Sequence, residues 1–194
     1  MDEAQYEQTE LTVTAAAANK QALAFVLPIL VLYMVPYFLL WPEQFSWQLL
    51  EGFVRAHGVA TLFYPLLMLL VFILGAVVHE LLHGLTWAVF CKRGVKAVTY
   101  GVHWSYLTPY CHCREVLPLR PYILGGLMPG LVMGLLPALA GMATGKLLLF
   151  LFGLLFTLAA SGDLLVLWML RHARASDLVQ DHPEKIGCYV YRRK

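Results

Sequence analysis

The chain has 194 residues, of which 60% are hydrophobic and only 13% charged, with a mean hydropathy of +0.67, whereas a soluble domain is usually about a quarter charged. That composition excludes an ordinary soluble domain and identifies an integral membrane protein. The formal charge of +2, with no basic tract interleaved with aromatics, excludes a nucleic-acid surface.

Residues 1–20 carry Asp2, Glu3, Glu7 and Glu10 and read as a polar tail, with helical character near Ala15–Ala18. This acidic start lacks the pattern of a cleavable signal peptide, so the first apolar helix is expected to direct insertion. Residues 21–41 are almost wholly apolar and long enough to cross a hydrocarbon core of roughly 30 Å; Pro28 and Pro36 are kinks that membrane helices tolerate. Trp41-Pro42 closes this span. Residues 46–57 read as a short amphipathic helix on the membrane surface, with Trp47, Leu50, Phe53 and Val54 opposite Gln48, Glu51 and Arg55.

A second apolar run covers residues 59–91, about 50 Å as a helix, more than a bilayer needs, so it must tilt, kink near Gly75 or emerge. Lys92-Arg93-Gly94 ends it. In 96–116, Val98, Tyr100, Val102 and Trp104 alternate with Ala97, Thr99, Gly101 and His103. The pattern predicts a β-hairpin with a turn at Ser105–Pro109 and a return strand from Tyr110 to Val116. Third and fourth spans follow at 122–140, rich in glycine, and 147–170, and residues 172–194 read as a polar basic tail. The fold class expected is an all-α membrane protein with about four transmembrane helices and a short β-hairpin insert between the second and third. Residues 21–171 form its membrane domain.

Four spans place the N-terminal tail, residues 92–120 and the C-terminal tail on one side. Twelve cations lie there, from Lys20 to Lys194, against only Arg55 and Lys146 on the other. The positive-inside rule then makes both termini cytoplasmic, and the four cysteines, Cys91, Cys111, Cys113 and Cys188, fall on that reducing side.

Within the four spans the only ionisable groups are His79, Glu80, His83 and Asp163. Each costs a few kcal/mol in hydrocarbon, and such groups usually pair inside the bundle. His79 and His83 are four residues apart, so a helix stacks them on one face; this is the His-Glu-x-x-His spacing that offers two nitrogens to zinc and a carboxylate to the water bound on it. His83 lies nine residues before Lys92 (92 − 83), and Asp163 eight before Arg171 (171 − 163). Both therefore sit about 12–14 Å from the same ends of helices running the same way. Asp163 is accordingly the candidate third ligand, its rival role being to orient one histidine. Two neutral imidazoles, one carboxylate and a water make an open catalytic site, with Glu80 as general base on zinc-bound water and peptide-bond hydrolysis as the natural reaction. His103 and His112 are candidate oxyanion or substrate contacts near the mouth. Cys111-His112-Cys113, as a strand, puts its thiols on one face and the imidazole on the other, without a second cysteine pair to complete a metal site.

His79-Glu80-Leu81-Leu82-His83-Gly84, Tyr100-Gly101-Val102-His103, Thr108-Pro109, Met128-Pro129-Gly130 and Ser161-Gly162-Asp163 together resemble a family of small multi-pass membrane zincin peptidases related to site-2 proteases. The resemblance covers about residues 60–170 and implies zinc on His79, His83 and Asp163, with Glu80 as the catalytic carboxylate. Site-2 proteases usually carry an Asn before an Asp-Gly pair; here Gly162 precedes Asp163, and the only Asn is Asn19. The resemblance also implies an exposed strand to which an unwound substrate adds, for which the hairpin is the candidate. The expected activity is that of an intramembrane metalloprotease acting on a membrane-bound protein near the cytoplasmic face. A catalytically inactive zinc-site scaffold and a metal or proton carrier are the alternatives.

Overall fold

In the computed structural model, residues 5–104 and 108–194 are described. The first helix, α1 (Ala15–Leu40), starts where the Thr14 side chain accepts from the Ala17 backbone N–H, and it keeps both Pro28 and Pro36 inside. Its end is fastened by polar contacts from aromatic neighbours. Trp41 Nε1 donates to the Met142 carbonyl at 2.8 Å, and Tyr37, fully buried and stacked on Phe150 with ring centroids 3.9 Å apart, donates to Gln44 Oε1 at 2.8 Å.

The amphipathic helix α2 (Trp47–His57) ends at Gly58, whose φ of 51° turns the chain. After a short 3-10 segment, α3 (Tyr64–Phe90) carries the His-Glu motif. Phe53 and Tyr64 rings sit 4.9 Å apart, so the chain bends between α2 and α3; eleven residues of straight helix would separate their backbones by about 16 Å. The third apolar stretch is α4 (Leu119–Pro129), a π-helical turn over Gly130–Leu135 and α5 (Leu136–Thr144). Pro137 lacks the N–H that an α-helix would direct at the Met133 carbonyl, and the looser turn takes up that defect. The fourth stretch, expected as one continuous span, is two helices, α6 (Leu147–Ala159) and α7 (Ser161–Met169), with a 41° bend at the break. α5 and α6 touch backbone to backbone: a Cβ on Gly141 would run into the Phe150 backbone, and one on Gly153 into that of Ala138.

Three helical stretches, Ala16–Leu40, Trp47–Phe90 and Leu119–Thr144, are long and apolar enough to cross a membrane, or four with the bent pair counted as one span. Their outer faces expose Leu27, Leu39, Leu66 and Leu74 among many others, a surface suited to lipid and far too apolar for water.

The expected hairpin is present as β2 (Val98–His103) paired antiparallel with β3 (Thr108–Cys113); the expected turn at Ser105–Pro109 falls in part on residues 105–107, outside the described residues. The two polar tails are a correction to the all-α expectation. β1 (Tyr6–Val13), β4 (Leu117–Pro118), β5 (Leu178–Asp181) and β6 (Ile186–Arg193) form one antiparallel sheet in the order β1-β6-β5-β4, with Tyr6 opposite Arg193 and Val13 opposite Ile186. The fold is mostly helical with a small β portion. Cys188, Val179 and Leu117 from this sheet pack with Cys113, Ala97, Trp87 and Tyr122 into a second core. That core lies at the end of α3 where the His-Glu motif is found. Glu115 ties the same end down by accepting from the backbone N–H groups of Lys92 and Arg93 at 2.8 and 3.1 Å.

Candidate metal centre

One turn of α3 stacks His79 over His83, their ring centroids 5.0 Å apart, and both are buried. The bend between α6 and α7 aims the first turn of α7 at them. Asp163 sits in that turn, where the helix dipole favours a negative charge. Its carboxylate spans the two rings: Oδ2 is 3.0 Å from His79 Nε2, and Oδ1 is 3.3 Å from His83 Nε2. The three side chains offer ligand atoms that all lie within 4.8 Å of one another. The spacing along two separate helices placed these groups at matching depths, and the fold brings them into contact.

The hydrogen bonding of His83 tests whether a metal fits. His83 Nδ1 is 2.8 Å from the Gly125 carbonyl oxygen, which can only accept, so Nδ1 carries the proton and Nε2 presents a lone pair. That lone pair faces a carboxylate oxygen, another acceptor. Two acceptors at this distance are reconciled by a proton or a metal ion between them, and two imidazoles with one carboxylate are a donor set that suits zinc. Among the described residues the buried His79 Nδ1 has no partner, so the hydrogen bonds of this ring do not oppose use of its Nε2 as a ligand.

Local sequence makes room for this arrangement. Gly84, next to His83, leaves the space into which the Val98 and Tyr100 side chains of β2 pack; Gly125 does the same for the Trp87 indole; and Gly75, one turn before His79, receives the ring of Phe156. Trp87 lies one turn after His83 and stacks on it, with centroids 5.3 Å apart and ring planes within 14°. The Trp87 Nε1–H is spent on the Tyr122 carbonyl at 3.0 Å. Stacking and the Gly125 bond thus fix the plane of the His83 ring.

Glu80 projects from the same turn toward the hairpin, where its carboxylate lies beside the Cys111 backbone and feels the charges of His79, His83 and Asp163. Burial, and then the nearby Glu80 carboxylate, push the Cys111 thiol well above its ordinary range; burial does the same to Cys113 and raises Cys188 to about 12. These sulfurs stay protonated at neutral pH, and among the described residues none of them belongs to the group formed by His79, His83 and Asp163. Cys111 and Cys113 share one face of β3, as alternation requires, and His112 takes the other.

His103 and His112 are not brought to the metal group. His103 is exposed and packs against Tyr110, ring centroids 4.5 Å apart. His112 instead lies beside Asp181, with 3.9 Å between Nδ1 and Oδ2. Among the described residues, His79, His83 and Asp163 are the whole of the candidate metal group. Sequence reasoning missed Asp181, which accepts from the Tyr122 hydroxyl at 2.5 Å and from the Cys113 backbone N–H at 2.7 Å. It also missed the Gly125 carbonyl, an acceptor that no side chain announces.

The family model described as "Putative zincin peptidase" matches residues 72–178, from within α3 to the start of β5. The matched stretch contains His79, Glu80, His83, the hairpin and Asp163. No curated protein and no solved structure matches the chain.

Proposed function

We propose that this chain, which belongs to the zincin peptidase family, is an intramembrane zinc metalloprotease of the site-2 type, cutting a membrane-associated protein near the cytoplasmic face. The observation that carries the proposal is the meeting of two histidines on one helix with an aspartate 84 residues from His79, inside apolar helices. His79 Nε2, His83 Nε2 and the Asp163 carboxylate are the groups that would hold the metal. When bound, zinc supplies Lewis acidity that activates water and polarises the scissile carbonyl.

Glu80 does the proton work. Its carboxylate takes a proton from the attacking water and delivers it to the departing amine nitrogen as the C–N bond breaks. The Cys111 backbone of β3 lies beside that carboxylate. The Gly125 carbonyl keeps the proton of His83 on Nδ1, so Nε2 stays free for the metal.

The substrate is an extended segment that adds to the hairpin. Arg114 N donates to Ala97 O at 2.8 Å, and with the β2–β3 register this turns the backbone groups of Tyr100 and Val102 away from β3. Among the described residues no strand pairs with that edge. Tyr100 also packs at Gly84, next to His83, so a peptide strand added there passes close to the ligand turn. The sheet uniting both termini and the cation-rich 92–120 segment lie at one end of the bundle, which supports a cytoplasmic placement of that end.

Cleavage of a transmembrane-peptide library by purified protein, wild type against Glu80→Gln, tests this reading. Zinc-dependent cleavage that Glu80→Gln abolishes without loss of bound zinc is expected. Equal cleavage by both removes Glu80 from its role, and capture of peptides without cleavage by the wild type favours the inactive zinc-site scaffold.

A further inference from the structure

Asp181 belongs to no part of the proposed chemistry, lies beyond the last helix and is tied to both halves of the site. It ends β5, in the sheet built from the two chain termini, and only 11% of its side chain is exposed. One oxygen takes the Tyr122 hydroxyl and the other takes the Cys113 backbone N–H. From Tyr122 the path runs through aromatic rings: Tyr122 stacks on Trp87, centroids 5.5 Å apart, and Trp87 stacks on the ligand His83. From Cys113 it runs along β3, where the backbone two residues earlier, at Cys111, lies beside Glu80.

We infer that Asp181 is a positioning residue that fixes the His83 ring and the Glu80 carboxylate together, locking the terminal sheet to the metal centre. The inference rests on the metallopeptidase reading above. Neither contact is made to a ligand itself; a contact made directly to a ligand is typically worth about 10–100-fold in metal affinity, so the loss expected through Tyr122 and Trp87 is about 10-fold. Alanine at 181 removes both contacts. Asparagine retains both: its amide oxygen accepts from Cys113 N–H, and its amide N–H donates to the Tyr122 oxygen. Phenylalanine at 122 cuts only the arm that reaches His83.

The test uses the full chain in detergent micelles, with cobalt(II) replacing zinc as a spectroscopic probe. Wild-type protein that binds neither ion refutes the metallopeptidase reading itself, before any variant is compared. With metal bound, Asp181→Ala is expected to shift the visible cobalt bands and weaken zinc binding about 10-fold. Asp181→Asn restores most of both, and Tyr122→Phe shifts the bands in the same direction as Asp181→Ala. A merely structural Asp181 would lower thermal stability and leave the spectrum of the folded, cobalt-loaded protein unchanged. Wild-type cobalt spectra and zinc affinity in Asp181→Ala overturn the inference, as does an Asn variant no better than Ala. Should Asp181→Ala fail to fold, Tyr122→Phe with an unshifted cobalt spectrum overturns it equally.

Discussion

Removing Asp163 is the perturbation that separates a metal centre from a buried hydrogen-bonded cluster. Its two oxygens lie 3.0 and 3.3 Å from the two histidine nitrogens, so Asp163→Ala removes the only charged donor and leaves two neutral imidazoles. Loss of an outer contact alone weakens metal binding about 10–100-fold, so loss of a ligand is expected to cost at least about 100-fold. Zinc held at a hundred times the wild-type dissociation constant stabilises the wild type by about 2.7 kcal/mol. At about 2–4 °C per kcal/mol for a chain of this size, that is a rise of about 5–10 °C in melting temperature. At the same zinc concentration the variant sits no higher than its own dissociation constant. It gains at most about 0.4 kcal/mol, or about 1 °C. Thermal unfolding in detergent, with and without zinc, reads this difference, each protein compared with its own chelated form. A variant that keeps the full wild-type rise would refute Asp163 as a ligand.

Three further outcomes follow from packing and charge. Gly141→Ala drives a methyl into the Phe150 backbone, which neither helix can yield cheaply, and unfolding measurements should show a loss of about 1–3 kcal/mol. The Lys185 ammonium, bonded to Glu10 at 2.6 Å, holds the Glu10 carboxyl below its ordinary value of 4.5, and Glu10 in turn raises Lys185 above 10.5. A depressed acid stabilises the fold above its unfolded value and a raised base below its own, so the pair supports β1 between about pH 4.5 and 10.5. Amide exchange along β1 should accelerate as pH falls through the lower limit, relative to the intrinsic rate, and pH-independent protection would contradict this. The thiols of Cys113 and Cys188 are buried with raised pKa, so maleimide labelling of both should be slow in the native protein and rapid after denaturation.

Much of the site was legible in the sequence because hydrocarbon makes ionisable groups conspicuous. His79, Glu80, His83 and Asp163 stood out against apolar runs, and counting residues to the flanking cations put them at one depth. The hairpin was legible from the alternation of Val98, Tyr100 and Val102, and its two thiols share one face as that alternation requires. The terminal sheet was not legible. β1 pairs with a segment more than 170 residues away, and stretches such as Glu7-Gln8-Thr9-Glu10 carry too little apolar character to announce a strand alone. The bend at Ala160 is marked only by the Ser161-Gly162 pair that follows it, a faint signal inside a long apolar run. Nothing near Asp181 signals its partners, since both Tyr122 and the Cys113 N–H arrive by tertiary packing. His112 was placed at the mouth for its chemistry, whereas strand alternation turns it toward Asp181.

The most direct test is zinc K-edge X-ray absorption on the purified wild-type protein. The account predicts bound zinc surrounded only by nitrogen and oxygen at about 2.0–2.2 Å, with two imidazoles contributing. Protein that retains no zinc, or zinc with sulfur neighbours at about 2.3 Å, would contradict a centre built on His79, His83 and Asp163.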